Sequence, residues 1–177
     1  MEEIEVPIEQ SQEHIHHSAL HADSKNQGMM TKAAVLSAFL AVAAAVSALF
    51  SGHYANEAMI EQIRASDQWS YYQAKGIKSG IVQMQNELNP NEKLGQKIEG
   101  YKQEQEQIKE KAASFEESSQ HHLHLHESLA ASVTLFQVAI ALTAIAVLTR
   151  RKYFLLVSST FGLLGLLWMI KTFLSHH

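Results

Sequence analysis

Three long stretches of the chain carry no charged residue, and strongly polar sequence separates the first from the second. They cover residues 33–50, about 129–148 and 153–170, and each is apolar on all sides of a helix rather than along one stripe. Each is also about as long as the 17 to 25 residues that a helix needs to cross a ~30 Å hydrocarbon layer. The pattern therefore predicts three transmembrane helices rather than the helices of a soluble bundle.

The polar segment between the first two stretches has a heptad-like pattern. It is rich in helix-forming residues and is interrupted once, at NELNPNEKLG (86–95), where Pro90 between asparagines is a turn signal. Steps of four and three away from this turn define one seam on each arm. The first seam consists of Leu88, Met84, Ile81, Ile77, Ala74, Ser70, Asp67, Ile63, Ile60, Asn56, His53 and Leu49, and the second of Leu94, Ile98, Tyr101, Gln105, Ile108, Ala112, Phe115, Ser119, His122, His126, Leu129, Val133, Phe136 and Ile140. The two seams predict an antiparallel, coiled-coil-like hairpin in which residue i faces roughly residue 180 minus i.

Together these elements predict an all-α membrane protein with a long helical hairpin between its first and second transmembrane helices. The predicted order is an acidic, His-containing N-terminal segment (1–32), a first transmembrane helix (33–52), an extramembrane hairpin (53–127, with its turn near 89–92), a second transmembrane helix (128–149), a basic loop (150–152) and a third transmembrane helix (153–174). A two-helix hairpin is marginally stable by itself, because most helical stability comes from tertiary packing. We therefore expect a homo-oligomer.

The distribution of charge predicts the orientation of the chain. Lys25 and Lys32 precede the first span and Arg150, Arg151 and Lys152 separate the second from the third, so all five lie on one side of the membrane. The positive-inside rule makes that side cytoplasmic, together with the N-terminus. The hairpin and the C-terminus are then periplasmic or extracellular. The net charge of −4 gives no indication of a nucleic-acid surface.

Two sets of residues are candidates for packing between helices. Trp69, Tyr72, Gly76 and Gly80 follow helical spacing but lie off the first seam, so they predict an outer face for oligomer contacts, or else they cover their own partner arm. In the membrane, Thr134, Gln137, Ala141 and Ala144 share one face of the second helix. A buried amide in lipid needs a partner, so this face either lines a narrow polar pore or packs on a neighbouring helix.

Several segments resemble one known family. EEIEVPIE near the N-terminus, GHYANEAMIEQIRASDQWSYYQAKGIKS after the first span and VTLFQVAIALTAIAVLTRRKY late in the chain together resemble the bacterial membrane-protein family catalogued as domain of unknown function 4337. The resemblance extends over nearly the whole chain. It implies a small bacterial membrane protein with three spans and a helical middle, and it implies no activity.

The histidines are the strongest candidates for chemistry. In HHLHLHE (121–127), His122 and His126 lie four residues apart on one helix face, a spacing that allows two imidazoles to share a metal ion. His53 is predicted to face Glu127 across the hairpin, so a zinc site would use His53, His122, His126 and Glu127. Without a metal the same group would titrate near neutral pH, or the histidines only suit the membrane interface. His14, His17 and His21 share a helix face in the N-terminal segment, on the opposite side of the membrane.

Other chemistry is not indicated. The chain has no cysteine, no glycine-rich phosphate loop, no GxSxG and no HExxH, so we do not expect an enzyme or a resident cofactor other than a divalent metal such as zinc. The sequence favours a homo-oligomeric structural or interaction scaffold in the bacterial inner membrane. The alternative is a small oligomeric ion channel or pore, gated by pH or metal through the histidines at the membrane-proximal base of the hairpin. Expected partners are membrane lipid and further copies of the chain; the sequence names no other protein partner.

Overall fold

The computed structural model describes residues 27–175 and consists there of three α-helices, two of them long. They are α1 (Gln27–Leu88), α2 (Glu92–Thr149) and α3 (Lys152–Ser175). The all-α expectation is therefore confirmed for this part of the chain. The predictions for most of the N-terminal segment, including His14, His17 and His21, and for His176 and His177 lie outside the described residues.

The chain divides into two compact units, and both α1 and α2 contribute to each. The hairpin unit is Tyr54–His124. The apolar unit combines Met1–His53 with Leu125–His177, of which residues 27–53 and 125–175 are described. Each of the three helices is long and apolar enough, by length and composition, to cross a membrane.

The break between α1 and α2 lies at residues 89–91, within the turn that the sequence predicts. Asn91 caps α2: its Oδ1 accepts a hydrogen bond from the amide of Lys93 at 3.0 Å, and Asn86 Oδ1 accepts one from the amide of Asn91 at 2.9 Å. An asparagine side chain thus satisfies one of the amides that a helix N-terminus leaves without an intrahelical partner. Glu92 in the first turn of α2 is also favoured by the helix dipole.

The second arm of the hairpin packs through the seam that the sequence predicts. Ile108, Ala112 and Ser119 on α2 are buried, and the intervening seam residues are at least partly buried. The pairing across the arms also agrees with the predicted register. Ser119 Oγ donates to the carbonyl oxygen of Ala58 at 2.8 Å, and Gln105 Nε2 donates to that of Tyr72 at 3.3 Å.

The predicted seam of the first arm is wrong. From Ile60 to Leu88 each residue predicted for that seam is exposed. The arm instead packs through residues of the opposite face, which recur every seven positions: Ala58, Ala65, Tyr72, Ser79 and Asn86. The physical reason is distance. Small side chains let the two backbones come close enough for a serine hydroxyl of one arm to reach a carbonyl of the other, which a row of isoleucines does not allow.

The apolar unit is packed around Leu40, Phe136 and Ile140, which are almost completely buried. Two glycines of α3 make this packing close. A Cβ at Gly162 would lie 2.6 Å from Leu40 Cδ2, and one at Gly165 would lie 2.9 Å from Phe136 Cε1. α3 therefore contacts α1 and α2 at positions where any larger side chain would overlap.

Hydroxyl groups provide the polar contacts of the apolar unit. Ser158 Oγ on α3 donates to the carbonyl oxygen of Ala139 at 2.7 Å and lies 2.7 Å from Thr143 Oγ1, both on α2. Nearer the other end of α3, Thr172 Oγ1 lies 2.7 Å from Ser128 Oγ. Interhelical hydrogen bonds of this kind are a common means of helix association where water is absent.

The turn from α2 to α3 is very short. Arg150 has a φ of 53°, in the left-handed region, and its amide donates to the carbonyl oxygen of Val147 at 3.3 Å. This conformation ends α2 and allows α3 to begin at Lys152. Arg150 and Arg151 thus form the connection between the last two helices, and the third basic residue of the predicted loop, Lys152, is the first residue of α3.

Candidate functional site

In the hairpin unit, the clearest group of titratable side chains is centred on Glu61. One carboxylate oxygen, Oε2, lies 2.8 Å from His122 Nδ1, and the other, Oε1, accepts a hydrogen bond from Ser118 Oγ at 2.8 Å. The imidazole of His122 also stacks on Tyr54, with ring centroids 5.8 Å apart. Only 14% of the Glu61 side chain is exposed, so this carboxylate depends on protein partners in place of water.

The environment of Glu61 favours its charged form. Burial by itself acts to raise the pKa of Glu61, but the hydrogen bonds from His122 and Ser118, together with the positive charges of His122 and Arg64, outweigh it. The net result is a pKa below the ordinary value of a glutamate. The pair therefore has the geometry of a charge-assisted hydrogen bond, with the Nδ1 hydrogen of His122 donated to the carboxylate.

In the apolar unit, His126 makes a different contact. Its Nδ1 lies 2.9 Å from the carbonyl oxygen of Ser51, while Ser51 Oγ donates to the carbonyl oxygen of His126 at 3.1 Å. The two contacts are mutually consistent when Nδ1 carries the hydrogen. α1 and α2 are thus joined by a reciprocal pair of side-chain to backbone hydrogen bonds, which is a structural role.

The predicted zinc ligands are placed as follows. His122 contacts Glu61 in the hairpin unit, His126 contacts Ser51 in the apolar unit, and His53 and Glu127 lie on exposed positions of the apolar unit. Among the residues that the structure describes, no group of three or more His, Cys, Asp or Glu side chains is arranged to hold a metal ion. The structure thus gives no support to the zinc hypothesis. Sequence reasoning missed Glu61, although it lies roughly opposite Ser118 in the predicted register.

The sequence left two possibilities for Trp69, Tyr72 and Gly76, an outer oligomer face or cover for their own partner arm, and in the structure these residues lie against the other arm. Trp69 Nε1 donates to Glu116 Oε1 on the other arm at 3.2 Å, and a Cβ at Gly76 would lie 2.9 Å from Gln105 Nε2. These residues cover their own partner arm, because α1 turns a face other than the predicted seam toward α2 while the pairing along the arms stays close to the predicted register. Gly80, which is partly buried, would have no atom within 4 Å of an added Cβ.

Cations and aromatic rings reinforce the same inner face. Lys75 is paired with Glu104 of the other arm, and its Nζ lies 5.2 Å from the ring centroid of Tyr101. The hydrogen bond to Glu104 raises the pKa of Lys75. These contacts fix the hairpin register through polar groups, since the inner face of the first arm offers few large apolar side chains.

The rotation of the first arm leaves a long apolar surface uncovered, which we call the outer stripe. It follows heptad spacing on the side of α1 that faces away from α2. Its large members are 42 to 87% exposed: Ile60, Ile63, Ile77, Ile81, Met84 and Leu88. Asp67, Ser70 and Ala74 occupy the intervening heptad positions and divide it into two apolar sections. On the opposite face Ala58, Ala65 and Ser79 belong to one seven-residue series that also contains Tyr72, and these small residues were the signal that distinguishes the two faces.

The predicted pore or packing face of α2 is largely uncovered within a single chain. Thr134, Gln137 and Ala141 are exposed and Ala144 is partly buried. Thr134 Oγ1 donates to the carbonyl oxygen of Ala130 within its own helix. The Gln137 side chain makes no hydrogen bond within residues 27–175. Its amide therefore stands on the surface of an apolar helix without a protein partner from the described part of this chain.

Comparison with known proteins identifies a family and nothing more specific. A family model described as Domain of unknown function (DUF4337) matches residues 29–175, which confirms the resemblance seen in the sequence. No curated protein and no solved structure matches the chain.

Proposed function

The chain belongs to the DUF4337 family, whose description assigns no activity, and from its own residues we propose a multi-pass protein of the bacterial inner membrane that assembles with further copies of itself into a structural scaffold. The N-terminus would be cytoplasmic and the hairpin periplasmic or extracellular. The observation that carries the proposal is the outer stripe, because it is an apolar surface that the monomer leaves open.

Membrane insertion is supported by what the apolar unit leaves exposed. α3 has a broad exposed apolar face, which includes Leu156, Leu163 and Leu164. In water this surface would be unfavourable, since soluble monomers rarely expose large contiguous apolar patches. In a bilayer the same side chains would contact acyl chains, while the backbone of each helix satisfies its own hydrogen bonds.

Self-association is supported by the geometry of the outer stripe. Copies of a chain inserted in one orientation bring the same face of α1 to the same height. Side by side, two stripes would pair Ile77 with Ile77 and Ile81 with Ile81, as the core positions of a parallel coiled coil do. Asp67 would occupy one such position, and a polar residue there is a known means of specifying register at a cost in stability.

Gln137 supports the same conclusion from the apolar unit. An amide exposed to hydrocarbon loses its hydrogen bonds with water and gains none from lipid. A neighbouring copy offers it a partner, either the same residue or a backbone group. A water-filled pore would satisfy it equally, and this is the observation that favours the channel as the second candidate function.

Cross-linking tests the scaffold directly, because the chain has no cysteine. Ile77→Cys, on the outer stripe, should form a disulfide-linked dimer in native membranes under mild oxidation. Gln83→Cys, which is exposed on α1 but off the stripe, should remain monomeric and serves as the control. Equal cross-linking of the two variants would indicate random collision and would contradict the proposed interface.

A second experiment measures the assembly without a cross-link. Wild-type protein in mild detergent should have the mass of an oligomer. The double variant Ile77→Asn, Ile81→Asn should have a mass closer to that of the monomer, because the substitutions should weaken association at least tenfold. Leu123→Asn, at an exposed leucine of α2, should leave the mass unchanged. A monomeric wild type would end the proposal. Ion currents in planar bilayers that Gln137→Leu abolishes would replace the scaffold by the channel.

A further inference from the structure

A groove of about 890 Å³ opens in the apolar unit between the beginning of α1 and the beginning of α3. Its lining is divided by chemistry. Lys32, Lys152 and Ser159 contribute polar groups, and Leu36, Leu155 and Leu156 contribute apolar ones. The volume is within the range of small-molecule sites, which are typically 300 to 1,000 Å³.

The polar part of the groove is cationic. Within residues 27–175, neither Lys32 nor Lys152 forms an ion pair, and Ser159 makes no side-chain hydrogen bond. α3 also begins here, at Lys152. The partial positive charge at the start of a helix adds to that of the two ammonium groups. The groups present are therefore donors and cations, which is the chemistry that recognises a phosphate.

The apolar part of the groove identifies the source of that phosphate. A free anion would use only the lysines and the hydroxyl group, and the three leucines would have no part in binding it. Leu156 is 68% exposed, so this side of the groove is open to its surroundings. A phospholipid uses both parts, because its headgroup can reach the lysines while its acyl chains lie along the leucines.

We propose that this groove is a binding site for an anionic phospholipid of the cytoplasmic leaflet. The inference rests on the proposed membrane location and orientation, which put Lys32 and Lys152 at the cytoplasmic surface. Basic pockets between transmembrane helices on that side are suited to anionic headgroups. The short turn with Arg150 and Arg151 adds positive charge at the same end of α3 without lining the groove.

Native mass spectrometry of the full-length protein in detergent tests the site, with phosphatidylglycerol, phosphatidylcholine and inorganic phosphate as separate probes. Phosphatidylglycerol should bind in preference to phosphatidylcholine. The double variant Lys32→Gln, Lys152→Gln should weaken phosphatidylglycerol binding about 30-fold, because each lysine near a membrane surface contributes a factor of about five. Lys32→Arg with Lys152→Arg should restore most of the affinity, because the charge is retained.

The matched control is Arg150→Gln with Arg151→Gln, which removes the same charge outside the groove and should change the affinity less than about threefold. An equal loss in both double variants would mean general attraction to a basic surface and would overturn the site. Competition by inorganic phosphate as effective as that of the lipid would also overturn it, in favour of a soluble anion. A monomeric protein that still shows the lysine-dependent preference would refute the scaffold and leave the lipid site standing.

Discussion

Replacing Glu61 with glutamine tests the main polar contact of the hairpin. The carboxylate accepts hydrogen bonds from His122 and Ser118, both at 2.8 Å. A glutamine keeps an acceptor for Ser118 but presents an amide or a neutral oxygen to His122 Nδ1. One charge-assisted hydrogen bond is therefore lost, and such bonds contribute about 1.5 to 3 kcal/mol. We expect the variant to be less stable by about 2 kcal/mol at pH 7.

The stability difference between wild type and Glu61→Gln should depend on pH. The folded-state pKa of Glu61 lies below the ordinary value of 4.5. Its contribution is therefore fully present above that value and is lost as the pH falls through the folded-state pKa. The difference between wild type and Glu61→Gln should be fully present above pH 4.5 and should shrink as the pH falls below that value.

Thermal unfolding followed by circular dichroism in detergent measures both effects. A loss of about 2 kcal/mol corresponds to a decrease of about 4 to 8 °C in Tm for a chain of this size. Glu117→Gln is the control, because Glu117 is exposed on α2 in the same hairpin unit and makes no side-chain hydrogen bond to another described residue. A decrease in Tm for Glu61→Gln that is the same at pH 7 and at pH 3.5 would refute the charge-assisted contact.

Two further predictions concern packing. Gly165→Ala should lower the free energy of unfolding by about 1 to 3 kcal/mol relative to Gly80→Ala. The new methyl group meets the buried Phe136 ring in the first variant and nothing within 4 Å in the second. Thermal unfolding compares the two variants, and equal Tm values would contradict the close contact. Ser79→Ala should stabilise the hairpin by about 1 kcal/mol, because Ser79 Oγ is buried without a hydrogen-bond partner within the described residues. Chemical unfolding of the variant measures this change. A lower stability than that of the wild type would show that the hydroxyl group has a partner.

The candidate site was only partly predictable from the sequence. The pairing of His122 with the opposite arm followed from the turn at Pro90, since the turn sets which residues come to the same height. The identity of the partner did not follow. It required the rotation of the first arm about its own axis, and this rotation brings Glu61 inward and leaves Ile60 and Ile63 outside.

The position of Trp69, Tyr72 and Gly76 was left open by the sequence for the same reason, because heptad periodicity does not say which face of the arm meets its partner. At Ala58, Ala65, Gly76 and Ser79 the arm faces its partner with small residues, which permit close backbone approach. Trp69, Tyr72 and Lys75 contact the partner arm from the same face. Heptad spacing is present on both faces of α1, so it does not decide between them. One face would bury more apolar area against α2, and the other allows the two backbones to come closer.

The sequence by itself determined the number of helices within residues 27–175, the turns between them and the three apolar stretches, because charge, periodicity and proline are local properties of the chain. Only the tertiary structure decided which face of α1 is inside, which glycines touch Leu40 and Phe136, and which side chains line the groove with Lys32. Those features depend on the rotation of one helix against another, and this rotation is set by side-chain volume and hydrogen bonding between residues far apart in the chain.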